Sequence, residues 1–116
     1  MEVGWRDRIV GMPENYVYFK DLAQHGAVPE KSILSSTLQS DDKSKFILFR
    51  FAAGQELSAH TAPCAASLYF VSGEATLRLG TEEQPAAAGT FVYMTPRLEH
   101  GIKAKTEVVM LLTMIK

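Results

Sequence analysis

The sequence predicts an all-β fold, an antiparallel sandwich or barrel with jelly rolls as the leading candidates. Three observations lead to this prediction: most of the chain divides into short segments rich in β-branched and aromatic residues, some segments alternate apolar and polar residues, and glycines recur between them. With 116 residues the chain is long enough for one domain. The glycines are spaced as turns between short strands require, at Gly54, Gly73, Gly80, Gly89 and Gly101.

Two hairpins are predicted in the first half of the strand-rich part. The segments KSILSSTL and SKFILFRFA are joined by the polar turn QSDDKS. A second hairpin is predicted from SLYFV and EATLRLG around a turn at Ser72 and Gly73. In its second strand Ala75, Leu77 and Leu79 alternate with polar residues, so one face of that strand is expected to point inward.

The remaining strands follow in order toward the end of the chain. GTEEQPAAAG contains a turn and a short edge strand, because Pro85 cannot donate a hydrogen bond within a central strand. TFVYMT and TEVVMLLTMI are then separated by the turn-like segment PRLEHG. These strands complete a barrel domain predicted over residues 32–116.

Residues 1–31 carry little periodic signal and are expected to form an N-terminal extension. Within them YFKDLAQHG, with Gly26 as a C-cap, predicts a single helical turn. The segment NYVYF is expected to pack on the barrel or on a partner subunit.

Charge and composition exclude several classes of partner. The chain has 12 Lys and Arg, 13 Asp and Glu, and a formal net charge of −1, which predicts no nucleic-acid or anionic-membrane partner. It has no apolar run of about 20 residues, and its first residues are charged where a signal peptide needs an apolar run. Cys64 is the single cysteine, so no intramolecular disulfide is possible. A cytoplasmic protein is expected.

Two stretches resemble the sequence motifs of the cupins, and most closely those of the small single-domain members. Gly54, His60 and Gly73 match positions of the first motif, and GTFVYMTPRLEHG, which contains His100, is similar to the second. The resemblance implies a cupin-type antiparallel β-barrel, or double-stranded β-helix, over most of residues 32–114. It also implies a small ligand in the open end of the barrel, often over a metal, and a homodimer.

The sequence departs from the motifs of metal-binding cupins at important positions. Those motifs supply two histidines and a glutamate, then one more histidine. Here His60 and His100 occupy the first and last of these positions, whereas Ala62 stands at the second histidine position and Ala66 at the glutamate position. Arg97 replaces the turn glycine of the second motif.

A third metal ligand is sought among the neighbours of His60. Because side chains at i and i+2 of a strand share a face, Cys64 and Glu56 are both candidates, although Pro63 interrupts the strand. The predicted metal ligands are therefore His60, His100, Cys64 and Glu56. They would hold a divalent transition metal such as Zn, Fe, Cu, Ni or Mn. A hydrogen-bonded wall histidine and a buried structural cysteine are the competing interpretations.

Three function classes are weighed, and the first of them is the one that we predict from the sequence. The protein binds a small organic ligand with a divalent metal, or it is a metal-free module that binds or senses a carbohydrate or aromatic acid. The third alternative, which the resemblance to cupins implies, is a metal-dependent dioxygenase or sugar isomerase. In such an enzyme the two motif histidines would act as metal ligands or as general acid and base. The side chains expected to line a ligand pocket, unless they are plain core, are Phe51, Tyr69, Tyr93, Met94, Met110 and Met114.

Overall fold

A computed structural model describes residues 15–116, and strands account for more than half of these residues. This part of the chain contains one short 3-10 helix, Leu22–Gln24. The strands are β1 (Ile33–Ser40), β2 (Ser44–Phe51), β3 (Glu56–His60), β4 (Ala65–Ser72), β5 (Ala75–Leu79), β6 (Glu82–Ala86), β7 (Phe91–Met94), β8 (His100–Ala104) and β9 (Val108–Ile115).

The strands form two antiparallel sheets that share one core, which confirms the predicted all-β fold class. One sheet has the order β1-β2-β9-β4-β7 and the other the order β3-β8-β5-β6. Alternate residues of each strand point between the sheets. The largest of the fully buried side chains come from both sheets, and among them are Phe51, Leu68, Phe70, Leu77 and Met110.

The first predicted hairpin is present. Strands β1 and β2 pair antiparallel, with Ile33 opposite Phe51 at one end and Ser40 opposite Lys45 at the other. In the turn between them, the Asp41 carboxylate accepts hydrogen bonds from the backbone N–H groups of Lys43 and Ser44. These bonds hold the pKa of Asp41 below its ordinary value, because they stabilise the charged carboxylate.

The second predicted hairpin is wrong, because β4 and β5 lie in different sheets. Strand β4 pairs with β7 on one side and with β9 on the other, so neither of its edges is free for β5. Strand β5 pairs with β6 and β8 instead. The turn at Ser72 and Gly73 therefore carries the chain from one sheet to the other. The inward alternation predicted for β5 is observed, since Ala75 and Leu77 are buried.

The predicted N-terminal extension over residues 1–31 lies partly outside the described residues. Of its described part, Phe19 and Leu22 pack on the outer face of the five-stranded sheet. There they contact a small cluster of buried side chains, Leu38, Leu48 and Val109. The predicted helical turn is the 3-10 helix, and Gly26 follows its C-cap with a φ of 89°.

Arg50 fixes this segment to the barrel. Its side chain is buried, and its guanidinium donates hydrogen bonds to the backbone carbonyls of Leu22, Ala23 and His25 at the end of the 3-10 helix. The carbonyls at the end of a helix lack partners within the helix, so a cation that binds them stabilises that end.

Gly73 provides a direct test of the crossing between the sheets. Its φ is 92°, and a Cβ added there would lie 2.1 Å from the carbonyl oxygen of Glu107. Gly89 has a similar φ of 96° but open space around the added Cβ. We expect Gly89→Ala to lower the free energy of unfolding by about 1–2 kcal/mol, the cost of the left-handed conformation. Gly73→Ala should cost about 3 kcal/mol or more, because a steric clash with backbone is added.

Denaturant unfolding of the two variants beside the parent measures this difference. Equal losses of stability in the two variants would contradict the close approach of Gly73 to Glu107.

Candidate functional site

A β-bulge in β3 determines which side chains enter the open end of the barrel. Glu56 lies opposite Lys103 and Leu57 opposite Ile102, but the next paired residue of β3 is His60, opposite His100. Strand β3 thus has one residue more than β8 over this interval. Regular alternation from the inward-facing Leu57 would turn His60 outward, and the extra residue turns it inward instead.

Gly101 accommodates the bulge on the neighbouring strand. A Cβ at Gly101 would lie 3.0 Å from the carbonyl oxygen of Leu57 and 3.1 Å from the backbone nitrogen of Ala59. These distances leave too little room for a larger residue unless β3 shifts. Because Gly101 has no side chain, the backbone of β3 can approach closely at the position next to His100.

His60 and His100 form a close pair across the two strands. Their ring centroids are 4.4 Å apart and the ring planes are inclined by 54°. His100 is buried, with 7% of its surface exposed, whereas His60 is exposed at the mouth of the barrel. Both rings thus lie at the boundary between the core and solvent.

Backbone carbonyls fix the protonation pattern of the pair. The Nδ1 atom of His60 lies 2.9 Å from the carbonyl oxygen of Ser58, and Nδ1 of His100 lies 2.9 Å from the carbonyl oxygen of Leu98. A carbonyl oxygen only accepts hydrogen bonds, so Nδ1 of each ring must carry the proton. In the neutral form of each ring, Nε2 keeps its lone pair and is free to bind a metal or to accept a proton.

The pair lies in a cavity of about 160 Å³, here called the histidine cavity. Its walls come from the ends of β3, β4, β7, β8 and β9 and from the loops between them. The wall is mainly apolar, with sulfur atoms from three side chains. Its lining residues are His60, Ala62, Cys64, Ala66, Met94, Thr95, Leu98, His100, Leu112 and Met114.

Two loops that border the cavity are joined by a backbone hydrogen bond. The N–H of Arg97, in the β7–β8 loop, donates to the carbonyl of Ala62, in the β3–β4 loop, at 2.8 Å. Arg97 has a φ of 68°, a left-handed conformation that favours glycine. This conformation explains why a turn glycine suits the position that Arg97 occupies.

The predicted metal ligands separate into two groups. Cys64 lies on the wall of the histidine cavity with His60 and His100. Glu56 does not, because the bulge turns His60 inward whereas Glu56 points away from the core, opposite Lys103. Within residues 15–116, no group of three or more His, Cys, Asp or Glu side chains is placed to hold a metal ion.

The predicted pocket-lining residues also separate. Met94 and Met114 line the histidine cavity, and Met94 is also buried in the shared core, whereas Met110 and Phe51 are buried in that core and do not line the cavity. Tyr69 and Tyr93 do not line it and are 43% and 55% exposed. They lie on the outer face of the five-stranded sheet, because their neighbours in β4 and β7 take the inward positions.

The sequence reasoning did not identify Leu98 and Leu112 as cavity residues. Leu112 could have been found from the alternation of β9, since it lies between the inward-facing Met110 and Met114. Leu98 lies in the irregular β7–β8 loop, where no periodic signal exists.

Two other grooves lie elsewhere on the described surface. One, of about 260 Å³, is lined by charged side chains on the outer face of the four-stranded sheet, among them Glu56, Arg78 and Lys103. The other, of about 410 Å³, lies between the N-terminal segment and the barrel beside Arg50 and Phe51. The Arg50 guanidinium already binds backbone carbonyls there. Neither groove contains a histidine side chain in its lining.

The tautomer of the pair is testable by nitrogen NMR. We expect both His60 and His100 to carry the proton on Nδ1 and a bare Nε2 when they are neutral, because each Nδ1 faces a carbonyl. The ¹⁵N shifts of the ring nitrogens, assigned with His60→Gln and His100→Gln variants, measure this directly. The Nε2-protonated tautomer, which predominates in free histidine, would contradict the geometry if it were found in either ring.

The described residues include no helix that is long and apolar enough to cross a membrane. No protein of curated function matches the chain significantly.

Solved structures match the fold over most of the chain. A conserved protein of unknown function from Streptococcus pyogenes is 27% identical, with 93% of each chain covered and a TM-score of 0.77. A cupin superfamily protein from Desulfitobacterium hafniense is 21% identical, with 93% of this chain and 97% of that chain covered and a TM-score of 0.78. The DMSP lyase DddQ from Ruegeria pomeroyi is 15% identical, with 73% of this chain and 47% of that chain covered and a TM-score of 0.68.

The similarity to the Desulfitobacterium hafniense and Ruegeria pomeroyi proteins, at 21% and 15% identity, shows a shared fold and no more. The sequence model of the cupin domain family matches residues 47–116, more than half of the chain. This range includes the bulged strand, both cavity histidines and the strands that surround them. The chain therefore belongs to the cupin family.

Proposed function

We propose that the protein binds a transition-metal ion through Nε2 of His60 and Nε2 of His100, together with a small organic ligand in the histidine cavity. The observation that carries this proposal is the shared orientation of the two rings, whose Nδ1 atoms are both held by backbone carbonyls. Histidines that bind metals almost always donate their other ring N–H in this way.

The donor atoms limit which ions fit. Imidazole nitrogen suits zinc, copper, iron and nickel, whereas magnesium, calcium and manganese prefer oxygen ligands. No carboxylate belongs to the described lining of the histidine cavity. The pair thus fits two nitrogen ligands of a borderline or soft ion, and the remaining coordination positions fall to a small ligand or to other atoms of the cavity wall.

The size and polarity of the cavity limit the organic ligand. At about 160 Å³ it is smaller than the roughly 300–1,000 Å³ of sites for drug-sized molecules. A ligand of a few non-hydrogen atoms fits, with an apolar part against Leu98 and Leu112 and a polar end toward the histidines. A bound ion would supply an electrophilic centre for that polar end.

Removal of the histidine pair tests the proposal. We expect the parent protein to bind about one equivalent of Zn(II) and to melt at a higher temperature with it, because a single site stabilises only the folded chain. His60→Ala/His100→Ala should lose both effects. His25→Ala is a matched control, since its ring packs against Phe19, away from the cavity, and it should behave as the parent does.

Equal Zn(II) binding in all three proteins, or none in the parent, would contradict the proposal. In the second case a rise in melting temperature with small carboxylic acids or sugars, retained in the presence of a chelator, would favour the metal-free binding module instead.

We also propose that the protein is a homodimer in a reducing, cytoplasmic setting, which would keep the Cys64 thiol free. The support for a dimer is an aromatic patch on the outer face of β4 and β7. Tyr69 lies opposite Phe91 in adjacent strands, and Phe91 is 62% exposed. Contiguous exposed apolar side chains of this kind are typical of association surfaces.

Charge placed on the aromatic patch should separate the subunits. We expect light scattering to give twice the chain mass of 12.8 kDa for the parent, and the single-chain mass for Tyr69→Lys/Phe91→Lys, because buried unpaired lysines are costly. Leu34→Lys, an equally exposed position on β1, should remain dimeric. A parent at the mass of one chain would refute the dimer.

A further inference from the structure

We propose that the histidine cavity is built for a soft monovalent metal ion, with copper(I) as the natural occupant, and that Met94 and Met114 supply thioether ligands beside His60 and His100. This inference rests on the proposed metal-binding function and specifies the ion. Besides the two imidazoles, the residues that line the cavity offer sulfur atoms as metal ligands.

The cavity wall is rich in sulfur. Met94, Met114 and Cys64 all line it, and Thr95 is the one residue of the described lining that offers a side-chain oxygen. Thiolate and thioether ligands select copper(I) over harder ions, which prefer oxygen. The donor set of this cavity therefore favours a soft ion over the iron or manganese that a carboxylate would accompany.

The sheet register brings the two methionines to either side of a small residue. Ala66 of β4 pairs with Met94 of β7 on one side and with Met114 of β9 on the other. Directly opposed residues of antiparallel strands share a face, so all three point into the cavity. The methyl group of Ala66 leaves the space between the two thioether chains open, and methionine side chains adapt readily to such a space.

The charge of the ion also favours copper(I) over divalent ions. The cavity is mainly apolar and its described lining has no carboxylate. The cost of transferring an ion from water into such surroundings rises with the square of its charge, so a monovalent ion costs about a quarter of what a divalent one costs. Neutral imidazole and thioether ligands are sufficient for a single positive charge, whereas two charges would lack an anionic partner.

Cys64 is not required by this proposal. It lies on the cavity wall, yet it does not form a three-residue ligand group with the histidines in the described chain. A free thiol nevertheless binds copper(I) by itself, so the test compares proteins in which this residue is replaced by serine.

The test measures copper(I) affinity by competition with a chromophoric chelator, without oxygen and with ascorbate present, and Zn(II) affinity in parallel. The reference protein is Cys64→Ser, which we expect to bind one copper(I) more tightly than Zn(II). Met94→Leu/Met114→Leu in that background keeps the side-chain volumes nearly unchanged. It should weaken copper(I) binding by about tenfold or more, as the loss of a contributing group at a metal site does, and leave Zn(II) binding unchanged.

Met110→Leu is the matched control, because Met110 is fully buried in the core and outside the cavity lining. It should bind both ions as the reference does. Copper(I) binding that survives the double methionine replacement, or that falls equally in the Met110 control, would overturn the inference. Zn(II) binding that depends on His60 and His100 would still support the proposed function in that case. Failure of both the reference and the parent protein to bind either ion would overturn both proposals.

Discussion

The open end of this barrel depends on one extra residue in β3. Without it Ala59 would lie opposite His100, and His60 would be one position further along and point outward. The extra residue requires close backbone approach at Gly101, where a Cβ would meet Leu57 and Ala59. Bulges occur often next to binding sites because they re-aim one side chain while the rest of a strand keeps its pairing. Here the re-aimed side chain is one half of the histidine pair.

The rest of the fold holds that pair in place. The core between the sheets is filled by aliphatic and aromatic side chains, among them Phe70, Leu68 and Ile102. On the outer face, the N-terminal segment covers Leu48 and Val109 and is fixed by Arg50. The cavity is therefore one end of a well-packed barrel, and its imidazoles are oriented by backbone carbonyls before any ligand arrives. Such preorganisation lowers the cost of binding.

Much of the fold followed from the sequence because period-two patterns and turn residues are local signals. The alternation in β5 and the QSDDKS turn both correspond to observed elements. The pairing of β4 was not predictable in this way, because a turn at Gly73 looks the same whether the chain continues in one sheet or crosses to the other. The bulge in β3 was not predictable either, because it is a feature of strand pairing that the sequence pattern does not show. Glu56 was placed with His60 by counting residues, and a single unpaired residue reversed that result.

At the site, the structure brings the rings of the two motif histidines, His60 and His100, close together. The alanines at the other two motif positions, Ala62 and Ala66, line the same cavity. What the sequence did not indicate is that Met94 and Met114 flank Ala66, because this relation depends on three strands distant in the chain. Alanine at the glutamate position of the motif, Ala66, thus leaves a space between two methionine side chains in place of a carboxylate.

The most direct test of the proposed metal site is an anomalous difference map from a crystal of the parent protein soaked with Zn(II). We expect one peak between the two rings, at about 2.0–2.1 Å from Nε2 of His60 and from Nε2 of His100, with both Nδ1 atoms still on their carbonyls. A map with no peak in the histidine cavity, or with the ion held in the groove beside Glu56, would contradict the account.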